Sequence, residues 1–183
     1  MIEKFYDEWF LYYRDCERKL KKINEIVRSK NFNEYYKENE DSELWQDVCG
    51  IFATQSLNKD KVVILSGDKD LRTIPGIHHF IHDESTEVVN ENIADYNFMY
   101  QTLVGDMTDG FAGCPSIGGV KASRILANKK DLPEMWEAVV KEYEKQGLDE
   151  AYALTQARLA RILRAQDWDS KRKKPILWRP NAK

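Results

Sequence analysis

The chain has 183 residues, 42% of them hydrophobic, and its 28 Lys and Arg face 31 Asp and Glu for a net charge of −3. This is the composition of a soluble globular chain with one core, or a small core with a satellite, and it excludes nucleic-acid binding by bulk charge, so any such binding must use local basic patches. No apolar run approaches the ~20 residues that span a bilayer, Met1-Ile-Glu-Lys4 has no apolar signal core, and Cys16, Cys49 and Cys114 stand in no Cys-x-x-Cys array; no membrane, no export and no zinc are expected, and the setting is a reducing cytoplasm.

Residues 3–29 are predicted as one long helix, because Trp9, Tyr13, Cys16, Leu20, Ile23 and Val27 step by four and three. Arg14, Arg18, Lys19, Lys21 and Lys22 crowd its middle and far part. The helix is open to three uses: packing with a solvated basic face, lying along DNA, or forming a coiled-coil seam. Residues 30–42 are polar and aperiodic, as in a linker, and Ser42 can cap a helix over 43–56 with Leu44, Val48, Ile51 and Phe52 inward.

Lys61-Val-Val-Ile-Leu-Ser66 is a short continuous apolar run, as in a strand buried on both faces of an α/β sheet. Beyond its carboxyl end, where ligands of open α/β sheets sit, stands Ser66-Gly-Asp-Lys-Asp70. In extended chain Asp68 and Asp70 point the same way and could share an ion; in a turn, Asp simply caps the loop. Thr73-Ile-Pro-Gly76 is a turn, residues 77–82 a second strand and Glu87-Val-Val89 a short third. A strand would split His78 and His82 from His79, which speaks against a metal site on that trio.

Residues 95–105 read as a helix that delivers Asp106 and Asp109, three apart and so on one face of a helical turn. The stretch Gly110-Phe-Ala-Gly113-Cys-Pro-Ser116-Ile-Gly118-Gly119-Val-Lys121-Ala-Ser-Arg124 then turns into a short helix. Glycines before a helix allow a phosphate to reach the free N–H groups of its first turn, where the helix dipole favours negative charge. The stretch is therefore either a helix-hairpin-helix phosphate clamp or a Gly-rich loop between helices. Pro133 opens the next helix and Gly147 ends it; Asp149 caps a last helix reaching about Gln166. Arg158, Arg161 and Arg164 make a basic stripe on it, solvated or phosphate-contacting. A basic tail leads to residues 176–178, expected to dock back on the body.

Together, a buried strand ending in Asp-x-Asp, an Asp-x-x-Asp and a hairpin form a coherent device. Clustered carboxylates bind hard divalent cations, which activate water and stabilise the leaving oxygen of a phosphodiester. The residues also carry a resemblance. Val62-Val-Ile-Leu-Ser-Gly-Asp-Lys-Asp-Leu-Arg-Thr-Ile-Pro75, Gln101-Thr-Leu-Val-Gly-Asp-Met-Thr-Asp-Gly110, Ala160-Arg-Ile-Leu-Arg164 and Leu177-Trp-Arg-Pro180, together with Asp47-Val-Cys-Gly50, resemble the 5′→3′ exonuclease/flap-endonuclease family, and within it the short exonucleases of podophages of the T-odd type.

The resemblance implies magnesium or manganese held by Asp47, Asp68, Asp70, Asp106 and Asp109, with Asp68, Asp70, Asp106 and Asp109 catalytic. It implies DNA contacts at Gly113, Ser116, Gly118, Gly119, Lys121 and Arg124, extended by Arg158 and Arg161, with K+ on the hairpin carbonyls as in some members. The substrate implied is duplex DNA with a 5′ end or flap, in the cytoplasm of an infected or prophage-carrying cell. Two departures stand out. Members begin with a strand bearing a metal-binding Asp, whereas this chain opens on a predicted helix. Members also carry a Glu-Gly-Asp-Asp-like cluster where this chain has Leu44-Trp-Gln-Asp47. The expected architecture is α/β: a partial parallel sheet with flanking helices (a PIN/flap-nuclease-like remnant) over 1–92, then a helical module with a helix-hairpin-helix clamp over 93–183. Alternatives are a non-catalytic DNA-binding accessory protein, or one subunit of a split nuclease completed by an N-terminal fragment or by self-association.

Overall fold

A computed structural model describes residues 43–58, 61–80, 83–172 and 174–180. The predicted helix over 3–29, the linker over 30–42, the Ser42 cap, Cys16 and His82 lie outside them. The described elements are α1 (Glu43–Thr54), β1 (Val63–Ser66), a 3-10 turn (Lys69–Thr73), β2 (Gly76–Phe80), β3 (Ser85–Val89), α2 (Glu91–Val104), α3 (Gly119–Leu126), α4 (Leu132–Lys145), α5 (Glu150–Ala160), a second 3-10 turn (Ala165–Asp167) and the short pair β4 (Trp168–Asp169) and β5 (Lys174–Pro175).

The sheet order is β1-β2-β3. β1 runs parallel to β2 with Ile64 opposite His78, and β3 returns antiparallel with Val88 opposite Ile77. The sheet is thus mixed rather than parallel. β2 ends at Phe80 and β3 starts at Ser85, and so short a link permits only an antiparallel return. β1 departs from the expectation of burial on both faces. Ile64 packs with Ala53, Leu71, Ile74 and Ile162, whereas Leu65 is 45% and Val88 66% exposed. The side-chain period of two sends these two residues to the opposite face of the sheet. That face is open among the described residues.

The larger core belongs to the helices. Phe98, Met99 and Leu103 of α2 are fully buried against α3, α4 and α5. The Tyr143 hydroxyl donates to the Thr102 carbonyl at 2.6 Å and so satisfies its polar end inside that core. The starts of α4 and α5 follow the sequence signals, whereas α2 begins at Glu91, ahead of the expected residue 95. Asn90, Asp131 and Asp149 cap α2, α4 and α5 through side-chain oxygens, and Pro133 lies in the first turn of α4. Of residues 176–178, Trp178 buries its side chain, edge-on to Phe98 and Trp136 at 5.1 Å each, while Ile176 and Leu177 stay exposed.

α5 ends at Ala160, short of the expected Gln166. The chain instead crosses to the sheet side, where Leu163 N donates to Asp47 Oδ1 at 2.8 Å and Ala165 N to Thr54 Oγ1 at 2.7 Å. Gly50 permits this approach: a Cβ there would sit 2.2 Å from the Leu163 carbonyl oxygen. Ile162 joins the sheet-side cluster, so residues after 160 pack across the boundary expected at 92/93.

A candidate metal centre

The chain after β1 enters a 3-10 turn at once. Asp68 is its N-cap, with Oδ1 accepting from Asp70 N at 2.9 Å. This separates two carboxylates that an extended chain would have pointed together. Asp70, in the first turn, swings toward α2; Asp68 stays at the strand end. Its other oxygen, Oδ2, accepts from Gln46 Nε2 of α1 at 2.7 Å. Of the two uses open to this pair, Asp68 takes the loop-capping one.

α2 stops at Gly105, whose φ of 74° is a conformation L side chains rarely adopt. Asp106 and Asp109 therefore lie on a tight loop rather than a helical turn. Asp106 and Phe111 exchange both backbone hydrogen bonds, at 2.9 and 3.0 Å. Gly105 and Gly113 press backbone on backbone, a Cβ on Gly113 falling 2.4 Å from Gly105 N. The loop is closed at its base and presents its acids outward.

Within this frame, carboxylate oxygens of Asp70, Asp106 and Asp109 all lie within 4.8 Å of one another. Among the described residues this trio is the group of three acids, Cys or His with such spacing. The electrostatics reflect the crowding. Burial and then the Asp68 charge push the Asp70 carboxyl up; burial, Asp106 and Asp68 push Asp109 up. Asp106 is held below the usual range, chiefly by the Thr108 N–H that donates to its Oδ1 at 2.8 Å. The Lys69 ammonium acts on all three and offsets part of the repulsion. An all-oxygen set of mutually repelling carboxylates, two of them half-buried and one exposed, suits a hard divalent cation.

Several expected site residues stand elsewhere. Asp68 is outside the trio, both its oxygens accepting hydrogen bonds. Asp47 is also outside it and ties α1 to residue 163, because α1 turns that side chain toward the segment after α5. Gly113 is buried and its N–H donates to Gln156 Oε1 at 2.9 Å, so that N–H is taken and cannot reach a phosphate. Arg161 is no surface stripe residue: its side chain is 3% exposed, paired with Asp167 and stacked over Phe98. Arg164 is buried too, donating to the Thr73 carbonyl and ion-paired with Asp95 at 2.8 Å. Arg158 donates from Nε to the Trp178 carbonyl. The stripe fails because the helix ends before residue 161, which turns the following arginines inward. His78 and His79 likewise serve the sheet, His78 against the Ile74 carbonyl and His79 against Thr86.

Ser116, Gly118, Lys121 and Arg124 are exposed around the start of α3. Gly118 is the N-cap without a side-chain hydrogen bond, and space is open where its Cβ would be; at Gly119 a Cβ would meet the Tyr100 hydroxyl at 2.4 Å. Sequence reasoning gives Gln46 and Gln101 no role. Gln101 lies in the last turn of α2 and its Nε2 donates to Asp70 Oδ1 at 2.7 Å. Its place one turn before the Gly-Asp that opens the acidic loop is the signal that could have marked it.

A carboxylate centre, together with an exposed helix start that lacks a side-chain cap, defines the class, an acidic-site protein of mixed α/β and helical build. The particular relatives are viral. The chain is 27% identical over 167 residues to an exodeoxyribonuclease of Enterobacteria phage T3, covering 74% of this chain and 55% of that protein. It is 30% identical over 165 residues to an exonuclease of Escherichia phage T7, covering 73% and 55%. The chain is thus related to the phage-type exonucleases, and it spans about half the length of these curated relatives. No protein-family model and no solved structure matches it. Among the described residues, no helix is long and apolar enough to cross a membrane.

Proposed function

We propose that this chain provides the acidic centre and a DNA-holding loop of a divalent-metal-dependent 5′→3′ DNA exonuclease acting on duplex ends or flaps. The observation that carries this reading is the convergence of Asp70, Asp106 and Asp109 in a relative of phage exonucleases. These three side chains would hold magnesium or manganese. Such a cation, when bound, supplies Lewis-acid polarisation of a phosphate oxygen and a bound water of lowered pKa. The chain's own residues do the rest. The Gly105–Gly113 contact fixes the loop, and Gln101 orients Asp70. Lys69 tempers the negative field toward an incoming phosphate. The open start of α3 at Gly118, flanked by exposed Lys121 and Arg124, receives a backbone phosphate and sets the register of the duplex.

The test is degradation of a 5′-labelled duplex with magnesium, with and without Asp70→Ala. Asp70-dependent release of label supports the reading; equal release from parent and variant overturns it. A second reading, that a separate N-terminal nuclease fragment or a second copy completes the sheet, is favoured by the face bearing Leu65 and Val88, which is open among the described residues. The mass in solution decides it: a monomer that degrades DNA by itself removes that reading.

A further inference from the structure

Asp68 and Asp70 stand two residues apart beside one acidic centre, yet the fold treats them differently. Asp70 has one oxygen fixed, Oδ1, by the Gln101 amide at 2.7 Å, and it lies with Asp106 and Asp109. Asp68 has both oxygens engaged, one by Asp70 N at 2.9 Å and one by Gln46 Nε2 at 2.7 Å. An ionised carboxylate only accepts, so the glutamine must turn its NH2 toward it. The amide therefore presents positive hydrogen at Asp68 Oδ2, and a cation approaching that oxygen from the α1 side would meet the NH2 group. Gln46 comes from α1, an element separate from both acidic loops, and so reaches Asp68 from a third direction. At that place a neutral donor satisfies the carboxylate without adding the negative charge a further cation needs.

We infer that Gln46 stands where a second divalent cation would sit, so that the described residues hold a single cation on Asp70, Asp106 and Asp109, with Asp68 a hydrogen-bonded positioning residue. The inference rests on the proposed metal centre and deepens it. It assigns the cation number to one side chain, and Gln46→Glu should reverse it. The glutamate keeps the length of the side chain, removes the donor and sets a second carboxylate against Asp68. That pair repels unless a cation joins it.

The experiment is calorimetric titration of the full chain with manganese, without DNA. One cation per chain is expected for the parent, and a second saturable event for Gln46→Glu. Asp68→Asn, which retains the length of the side chain and an acceptor for the turn, should keep one cation. Asp70→Asn should lose it. Two cations on the parent, one cation on a folded Gln46→Glu, or loss of the cation in a folded Asp68→Asn would each overturn the inference while leaving the metal centre in place. No saturable binding by the parent would overturn both. Circular dichroism of each variant identifies those that are folded, and the cation count of Asp68→Asn decides the matter should Gln46→Glu not fold.

Discussion

Arg161→Met separates a structural arginine from a DNA-contacting one. In the structure, Asp167 Oδ2 accepts from Arg161 Nε at 2.9 Å, from Arg161 Nη2 at 2.7 Å and from Arg164 N at 2.9 Å. Burial, followed by the nearby Arg164 charge, lowers the Arg161 pKa, which marks a cation kept in a poorly hydrated place. Replacing it leaves the Asp167 carboxylate buried with one backbone donor. Removing one partner of such a pair costs about 3–5 kcal/mol. With a urea slope of about 2 kcal/mol per M, the unfolding midpoint should fall by about 1.5–2.5 M. The double variant Arg161→Met/Asp167→Leu removes the stranded charge and should recover part of this loss. Recovery stays incomplete because the Arg164 N–H is then unpaired, at about 1–3 kcal/mol. Urea unfolding followed by tryptophan fluorescence measures all three proteins. A parent-like midpoint for Arg161→Met, together with a salt dependence of duplex binding flattened by about one phosphate contact, would refute the buried role and restore Arg161 to the DNA face.

Asp106→Ala should weaken manganese binding by at least about tenfold, read by calorimetry, since even loss of a supporting group around a metal costs about that much. Gly113→Ala should destabilise by at least about 1–3 kcal/mol from its φ of 68° alone, with the backbone clash added; a parent-like thermal midpoint would refute the closed loop. Gly118→Val should fold normally, because nothing lies within 4 Å of that Cβ, yet bind duplex more weakly, while Lys121→Ala should reduce the slope of log K against log salt by about 0.9; fluorescence anisotropy at several salt concentrations reads both. Burial, its largest cause, lowers the His78 pKa, so below the ordinary value of about 6.5 the unfolded chain binds the extra proton and the folded chain resists it. The stability present above that pH is lost as pH falls toward the depressed folded value, and the fall in urea midpoint between pH 7 and 6 should be smaller in His78→Gln.

Local chemistry, legible in the sequence, determined where elements begin and end. Asp131 with Pro133 and Gly147 bracket α4, and Asp149 starts α5, because caps and breakers act within a turn of themselves. The run at 62–65 and the turn after it placed β1, and the acidic spacing singled out Asp68, Asp70, Asp106 and Asp109 among many acids, of which the fold brings the last three together. Three matters were decided only by the tertiary structure. The 3-10 turn after β1 divided Asp68 from Asp70, since a turn and an extended strand aim neighbouring side chains differently. The contact of Gly105 with Gly113, two positions far apart in the local pattern, made a loop of what reads as a helical turn. The early end of α5 drew Arg161 and Arg164 inward to Asp167, Asp95 and the Thr73 carbonyl. A periodic stripe states only which residues share a helical face while the helix lasts. Partners supplied from distant segments, Gln46 for Asp68 above all, leave no mark on the local pattern, because their spacing in sequence is set by the path of the chain and not by any repeat.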